Sequence, residues 1–231
     1  MIYAVSDIHG EYEAYKAILK KINFSNSDEL YVLGDCVDRG DEPIKVLQDM
    51  MMRPNVYPIL GNHEYMAHKV LKQLMEEITE EGCEKMLSGT LMQELLLWQE
   101  NGGGITLEKF QELSIEERYD ILEYLEEFSL YETVGVNGKS FVLVHAGPDN
   151  FSEDRLLDDY EFYELIFKAP DYDKVYYKNK YLVTGHLPTI AHENNSGQVI
   201  MKNNHIAIDC GKVFGGKLAA VCLDTNEVFY V

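Results

Sequence analysis

The chain has 231 residues, 46% of them hydrophobic, and its 40 acidic and 20 basic side chains give a formal net charge of −20 at pH 7. That length is enough for one large domain with its own hydrophobic core. A surface this acidic repels phosphate backbones and anionic headgroups, so it argues against nucleic acids and membranes as partners.

The cysteines and apolar runs exclude further classes of protein. None of the four cysteines stands in a C-x-x-C pair, so no zinc ribbon, redox motif or disulfide framework is indicated. The chain enters an apolar strand at once, without a basic or long apolar leader, and no apolar run approaches membrane-spanning length. We expect a soluble, cytoplasmic protein, and the sequence leaves its oligomeric state open.

The first third of the chain alternates strands with helices. Apolar runs at residues 2–5, 30–33 and 56–60 predict buried strands, and each precedes a helical pattern of apolar residues. Three strand–helix repeats are typical of a parallel sheet built from βαβ units. Polar residues follow each strand, and in such sheets the loops at the carboxyl ends of the strands meet at a common site.

Residues from about 79 to 130 have a different, helical character. An apolar cluster ends at Asn101–Gly104, and Ser114 with Glu117 forms a capping box that predicts a further helix. No Pro- or Ser-rich linker flanks this part. We therefore expect a helical insertion packed beside the site, within a single domain that spans residues 1–231.

The second half is dominated by strand patterns separated by Asn- and Gly-rich turns. Residues 141–144 run into His145, and residues 181–183 lead to His186. Four more apolar runs follow at residues 199–201, 205–208, 218–223 and 228–231. We expect these strands to form a second, largely antiparallel sheet.

Six polar side chains stand just after predicted core strands: Asp7, His9, Asp35, Asn62, His145 and His186. Oxygen and imidazole donors without thiols suit Mn²⁺, Fe or Zn²⁺. Six ligands are too many for one catalytic ion with an open position, but they suit two ions about 3.5–4 Å apart that share a carboxylate. Asp35 is the expected bridge, because its strand comes between the other two ligand-bearing strands of the first third.

Taken singly, each of these residues has a plainer explanation. Asp7 would serve as a helix cap, Asn62 as a turn residue, and a strand-end histidine often only accepts or donates a hydrogen bond. Asp35, Asp38 and Arg39 would form a polar turn with a salt bridge, although such charges at the mouth of a core strand are tolerated where they are paired or bind a metal. The coincidence of six strand ends favours the metal site. Three further histidines lack this context and are left out of it: His68, His192 and His205.

Five sequence blocks occur in one order along the chain: Ser6–Gly10, Gly34–Gly40, Gly61–Glu64, His145–Gly147 and Gly185–His186. They resemble the signature blocks of the calcineurin-like metallophosphoesterases, specifically the bacterial serine/threonine phosphatase-like members of the phosphoprotein phosphatase branch. The resemblance runs from the first strand to beyond residue 186. It implies an α/β fold, a four-layer α/β/β/α sandwich of two mixed sheets with flanking helices, and a dinuclear metal site.

The resemblance assigns a ligand set to each of two divalent ions, with Mn²⁺ expected first. One ion would be held by Asp7, His9 and Asp35. The other would be held by Asp35, Asn62, His145 and His186. A metal-bridging hydroxide would then attack phosphorus in line.

The resemblance also implies catalytic and substrate-binding roles. His63 would be the general acid, oriented by Asp38, and protonation of the leaving alkoxide would contribute about 10²–10⁴-fold. Arg39 would clamp the phosphate bidentately, with Asn62 and His145 beside the substrate.

Three functions remain open, and the first is expected. It is hydrolysis of phosphomonoesters, of phosphoserine and phosphothreonine in proteins or of a small phosphoester, and Asp38 favours it because Asp-Arg-Gly is typical of acid-assisted phosphatases. Symmetrical hydrolysis of dinucleoside polyphosphates (Ap4A type) is the alternative. Leu60 favours it, since protein phosphatases often carry Arg there, although the acidic surface weighs against a polyanion. A non-catalytic scaffold is disfavoured because all six ligands are present. Arg155 and Lys168 are candidates for a further phosphate-binding cation.

Overall fold

The computed structural model describes residues 1–75, 89–193 and 195–231. Its strands in these ranges are β1 Ile2–Val5, β2 Glu29–Val32, β3 Val56–Pro58, β4 Tyr131–Val136, β5 Lys139–Val144, β6 Tyr181–Thr184, β7 Ile200–Lys202, β8 His205–Ala207, β9 Ala219–Cys222 and β10 Val228–Tyr230. Its α-helices there are α1 Tyr12–Lys21, α2 Pro43–Met51, α3 Asn62–Met75, α4 Thr90–Glu100, α5 Gly104–Gln111, α6 Ile115–Glu126 and α7 Phe162–Ile166.

The first sheet has the strand order β10-β9-β1-β2-β3. β1, β2 and β3 are parallel, as their βαβ connections require, and β2 lies between the other two. On the other side of β1, β9 pairs antiparallel with β1, and the edge strand β10 pairs antiparallel with β9. The expectation that residues 218–231 belong to the second sheet was therefore wrong, because β9 pairs with the free edge of β1.

The second sheet has the order β4-β5-β6-β8-β7 and is mixed. β5, β6 and β8 are parallel, whereas the edge strands β4 and β7 are antiparallel to their neighbours. The expected, largely antiparallel sheet was wrong, because long crossover segments return the chain to the same side before β6 and β8. Parallel pairing of β5 with β6 places the residues that follow them, His145 and His186, at one edge.

The residues of each strand alternate between two faces, and this alternation builds the layers. Val5 and Val32 of the first sheet pack under the helices, whereas Ala4 and Leu33 face the second sheet. On the second sheet, Val142 and Val144 turn outward onto α7 and a tyrosine-rich loop. The expected four-layer α/β/β/α sandwich is confirmed, with an outer layer on the second sheet that is mostly loop.

The helical insertion is observed over residues 90–126 as α4, α5 and α6, and its predicted start at 79–89 falls mainly outside the described residues, as does Cys83. The capping box of Ser114 and Glu117 is present at the start of α6. The helices pack on α2 and α3. No helix in the described ranges is long and apolar enough to cross a membrane.

Candidate active site

The loops that follow β1, β2, β5 and β6 meet at one edge of the two sheets. Parallel pairing of β1 with β2 continues into the loops, where the backbone N–H groups of Asp7 and His9 donate to the carbonyls of Gly34 and Asp35 at 3.1 and 2.8 Å. The second sheet joins through His186, whose backbone N–H donates to the Asp7 carboxylate at 3.0 Å. Residues far apart in sequence are therefore held together by hydrogen bonds from backbone N–H groups to carbonyls and to the Asp7 carboxylate.

Left-handed backbone conformations mark these loops. Non-glycine residues with positive φ include Asp7 (52°), His9 (45°), Asp35 (53°), Asp38 (69°), Arg39 (69°) and His186 (67°). Each such residue costs on the order of 1–3 kcal/mol and persists where the surrounding structure holds it. Their concentration at one edge indicates that chain geometry here serves the placement of side chains.

Two groups of side chains bring potential metal-ligating atoms within 4.8 Å of one another: His9, Asp35 and His63, and Asp35, His145 and His186. Asp35 is common to both groups. Its Oδ1 lies 3.4 Å from His145 Nε2, and its Oδ2 lies 3.7 Å from His9 Nε2. The two oxygens of one carboxylate thus face two different histidines, which is the arrangement that a bridging ligand needs.

Asn62 and Asp7 lie at the same edge. Asn62 Oδ1 is 3.1 Å from His145 Nε2 and 3.0 Å from His186 Nδ1, so it extends the second group. The Asp7 carboxylate accepts the backbone N–H of His186, and in the first group His63 stands where the sequence predicts Asp7. The assignment of each ligand to one of two ions stays a prediction.

The electrostatics of this edge fit divalent cations. Burial, followed by the charges of Asp7 and Glu64, raises the pKa of Asp35 well above its usual range. Burial has the opposite effect on histidine: it lowers the pKa of His9 and His145, which keeps both imidazoles neutral and able to bind a metal. Crowded buried carboxylates beside neutral imidazoles are stabilised by a bound cation, so the residues present fit the predicted metal centre.

His63 and Asp38 form a buried pair next to the metal-ligating groups. His63 Nδ1 lies 2.6 Å from Asp38 Oδ2, and the two side chains are 1% and 0% exposed. Burial and the charge of Arg39 lower the pKa of His63 to about 3, so its ring is neutral in this arrangement. Burial raises the pKa of Asp38 to about 7, against the hydrogen bonds that it accepts.

Arg39 reaches across the first group of potential ligands. Its Nη1 lies 2.7 Å from His9 Nε2, and its Nη2 lies 3.0 Å from His63 Nε2. The backbone N–H of Arg39 donates to Gly102 O at 3.0 Å, and the Phe214 ring lies 5.2 Å from its guanidinium carbon. The guanidinium therefore lies against the first group of potential ligands, and its role as the phosphate clamp stays a prediction.

Glu64 has a role that the sequence analysis missed. Its buried carboxylate accepts backbone N–H groups from Asp35 (2.8 Å), Cys36 (2.6 Å), Val37 (3.2 Å) and Gly61 (3.1 Å). It therefore fixes the loop that carries Asp35 and Asp38. Its position in the first turn of α3, inside the same block as Asn62 and His63, was the available signal.

Asp209 was also missed. It follows β8, is 4% exposed and accepts the backbone N–H of Gly211 at 2.8 Å. Its charge contributes to the raised pKa of Asp7, so the two carboxylates are close. The signal was a carboxylate at the end of a strand, which went unused because β8 was expected to be antiparallel.

The residues left out of the site have other partners. His68 bonds Glu126 at 3.1 Å on the outside of the insertion, and buried His205 bonds Thr184 Oγ1 at 2.8 Å. His192 is exposed and lies edge-on to Tyr172. Of the two candidate cations, Arg155 pairs with Glu164 at 2.7 Å and Lys168 lies 3.8 Å from Asp149, so both already face carboxylates.

The family model described as calcineurin-like phosphoesterase matches residues 1–230. The chain belongs to this family. The recognition made from the five sequence blocks is confirmed at that level, and the protein phosphatase branch within the family is not.

Relatives in this family carry a different name from the expected one. A protein of Buchnera aphidicola subsp. Schizaphis graminum is 35% identical over 99 residues, which cover 42% of this chain and only 36% of that protein. A protein of Neisseria gonorrhoeae is 27% identical over 273 residues, which cover 99% of this chain and 94% of that protein. Both are named symmetrical bis(5'-nucleosyl)-tetraphosphatase.

Solved structures agree on the fold. A crystal structure provisionally assigned as a diadenosine tetraphosphatase has a TM-score of 0.67 at 18% identity and covers all of this chain and 92% of its own. The structure of a serine/threonine phosphatase from Saccharomyces cerevisiae has a TM-score of 0.54 at 14% identity. The match covers 97% of this chain and 72% of that protein. At these identities the likeness concerns the calcineurin-like fold alone.

Proposed function

We propose that this calcineurin-like phosphoesterase hydrolyses dinucleoside tetraphosphates symmetrically, with two divalent metal ions bound at the Asp35 edge. The observation that carries this proposal is the Neisseria gonorrhoeae relative, which matches 99% of the chain and 94% of its own length and bears that name. Leu60 supports it as well, because an apolar residue stands where protein phosphatases often carry Arg. We keep Mn²⁺ as the first metal to test, and we treat residues 1–231 as one domain.

The side chains would divide the work. The two ions, held by the six predicted ligands, would supply Lewis-acid activation of phosphate and water. Arg39 would exchange His9 Nε2 and His63 Nε2 for two phosphate oxygens, since its guanidinium already spans them. His63 uses Nδ1 on Asp38, so Nε2 is the atom that would pass a proton to the leaving oxygen.

Phe214 supports a nucleotide substrate. Its ring is 57% exposed and lies 5.2 Å from the guanidinium carbon of Arg39. It is held between Gly211 and Gly215, both left-handed, in a short 3₁₀ turn. A base next to a phosphate gripped by Arg39 would find this ring as a stacking surface, and stacking of a base on an aromatic side chain contributes roughly 1–3 kcal/mol.

A second candidate function is hydrolysis of phosphoserine and phosphothreonine. The buried pair of His63 and Asp38 favours it, with Nδ1 2.6 Å from Oδ2. Alkoxide leaving groups need a general acid, whereas the nucleoside diphosphate released from a dinucleotide leaves readily without one. The pair is thus better explained by a phosphomonoester than by an anhydride.

Side-by-side kinetics separate the two functions. We would measure kcat/KM with Mn²⁺ for diadenosine tetraphosphate and for a phosphoserine/phosphothreonine peptide, and identify the nucleotides released. Preference for the dinucleotide with ADP as its nucleotide product is expected. Preference for the peptide would replace the proposal with the second candidate, and ATP plus AMP would refute symmetrical cleavage. Inactivity on both substrates, in a purified chain that does not retain two ions, would favour the scaffold.

Replacing Phe214 with Ala tests the stacking surface. We expect KM for diadenosine tetraphosphate to rise about tenfold, from the loss of one stacked base, with Phe214→Tyr close to the wild type. Inorganic tetrapolyphosphate, which has no base, is the control substrate and should respond much less. An equal rise in KM on both substrates would mean that Phe214 acts only through Arg39.

A further inference from the structure

The helical insertion contacts the His63–Asp38 pair directly. Trp98 Nε1 of α4 donates to Asp38 Oδ2 at 2.8 Å, and Thr106 Oγ1 of α5 donates to Asp38 Oδ1 at 2.6 Å. Trp98 and Thr106 are 0% and 1% exposed. Both oxygens of a buried carboxylate are thus bonded by side chains that lie 60 and 68 residues further along the chain.

Hydrogen-bonding capacity fixes the direction of these bonds. An indole nitrogen is only a donor. The Thr106 hydroxyl accepts the backbone N–H of Asp38 at 2.9 Å, so it is free to give its own proton to Oδ1. Asp38 therefore receives two donors from the insertion and accepts a third bond from His63. With the Asp38 carboxylate as acceptor, that third bond places the proton of His63 on Nδ1, and Nε2 then faces Arg39 Nη2 at 3.0 Å.

The turn between α4 and α5 is shaped to make these contacts. A Cβ on Gly103 would overlap the Trp98 indole, and a Cβ on Gly102 would come within 2.6 Å of Arg39 Cγ. The carbonyl of Gly102 accepts the backbone N–H of Arg39 at 3.0 Å. The segment from Trp98 to Thr106 thus contacts both Asp38 and Arg39.

We propose that Trp98 and Thr106 are positioning residues, which hold the Asp38 side chain in one orientation and so fix the tautomer and direction of His63. The inference rests on the second candidate function, hydrolysis of a phosphomonoester, because only that reaction has a leaving group that needs the His63 proton. It makes α4 and α5 a part of the active site, because these helices supply the side chains that hold Asp38, which in turn orients His63. Protonation of a poor leaving group by His63 depends on Trp98 and Thr106, whereas a good leaving group departs without that proton.

The test uses Thr106→Val, which keeps the shape and removes the hydroxyl, Trp98→Phe, which removes the N–H, and Thr106→Ser, which restores the hydroxyl. In the full chain loaded with Zn²⁺, ¹⁵N NMR of His63 should report Nδ1–H in the wild type and in Thr106→Ser. We expect mixed tautomers in Thr106→Val and in Trp98→Phe. This readout needs no catalysis.

Kinetics provide the second readout. For Thr106→Val and Trp98→Phe we expect kcat on a phosphoserine peptide to fall about tenfold or more, with kcat on p-nitrophenyl phosphate within about threefold of the wild type. Leu91→Ala, in the core-facing surface of α4, is the control for loss of packing alone and should preserve the ratio between the two substrates. Thr106→Ser should recover the wild-type ratio.

The outcomes separate this inference from the function on which it rests. Unchanged His63 tautomers in both variants, or equal losses on both substrates, would refute the positioning role. A wild-type chain inactive on every phosphoester would contradict the proposed function, and the tautomer of His63 would still decide whether Trp98 and Thr106 orient it.

Discussion

At the scale of single residues, Asp35 is the side chain that links the two groups of potential metal ligands. Its backbone is left-handed, its side chain is 4% exposed, and its two oxygens face His145 and His9. Three backbone N–H groups of its loop, those of Asp35, Cys36 and Val37, donate to the buried Glu64 carboxylate. The cost of crowding carboxylates here indicates that the edge is built for cations rather than for stability.

Replacing Asp35 with Asn should remove both metal ions together. The amide keeps the shape of the side chain but loses the charge that two cations would share. We expect metal content after dialysis, measured by inductively coupled plasma mass spectrometry, to fall from two ions per chain to nearly none. His68→Asn, on the outer side of α3, is the matched control and should retain both. Full occupancy in Asp35→Asn would exclude the bridge.

At the scale of elements, the turn that joins α4 to α5 determines where Arg39 lies. Gly102 has a φ of +98°, in the left-handed region, and its Cα faces the Arg39 side chain. An L-residue there is strained by the backbone and also lacks space. Two residues further on, Gly104 has open space around it.

Gly102→Ala should therefore weaken phosphate binding. We expect the Ki of inorganic phosphate as a competitive inhibitor to rise about tenfold, because displacement of Arg39 loses one bidentate contact. Gly104→Ala, at the first residue of α5, provides the control and should leave Ki unchanged. If both variants behaved alike, the effect would belong to the flexibility of the turn and not to Arg39.

Strand β8 offers a test by pH. Burial lowers the pKa of His205 to about 4, below its ordinary value near 6.5, so the native state keeps the ring neutral while the unfolded state binds a proton. The free energy of unfolding should therefore fall as pH drops from 6.5 to 4, with His205 contributing up to about 3 kcal/mol. Urea denaturation of metal-free protein should show a shallower fall in His205→Gln and a wild-type fall in His192→Gln. Equal slopes in all three proteins would contradict this.

At the scale of the whole molecule, the net charge of −20 opposes a polyanionic substrate. The favourable charge must be local, from Arg39 and from the two ions that the proposed metal centre would hold. Screening shortens the reach of the surface charge from about 30 Å at 0.01 M salt to about 10 Å at 0.1 M. Added salt should therefore speed the encounter of substrate and protein, by screening the acidic surface, more than it weakens the attraction at the site.

We expect kcat/KM for diadenosine tetraphosphate to rise several-fold between about 10 and 100 mM salt. The less charged p-nitrophenyl phosphate should respond more weakly in the same series. A steady decrease for the dinucleotide would instead mean that the field at the site mouth is positive, and that long-range attraction guides the substrate.

Much of the fold and site could be predicted from the sequence because both depend on local patterns. Buried strands that end in Asp7, Asp35 and His145 are visible as apolar runs followed by polar loops. Parallel strands bring their ends to one edge, so the ligands could be grouped without coordinates. β4 was missed because it is an edge strand interrupted by Glu132 and Gly135.

The sequence by itself predicted the types of potential metal ligand and their order, since each is tied to the end of its own strand, and its five blocks indicated the family. Only the tertiary structure decided the rest: that β9 pairs with β1, that Glu64 holds the Asp35 loop, and that Trp98 and Thr106 support Asp38. The physical reason is that these contacts join segments whose separation follows no period. A hydrogen bond across 60 residues leaves no trace in the spacing of apolar side chains, and it exists only once the core has placed its two ends together.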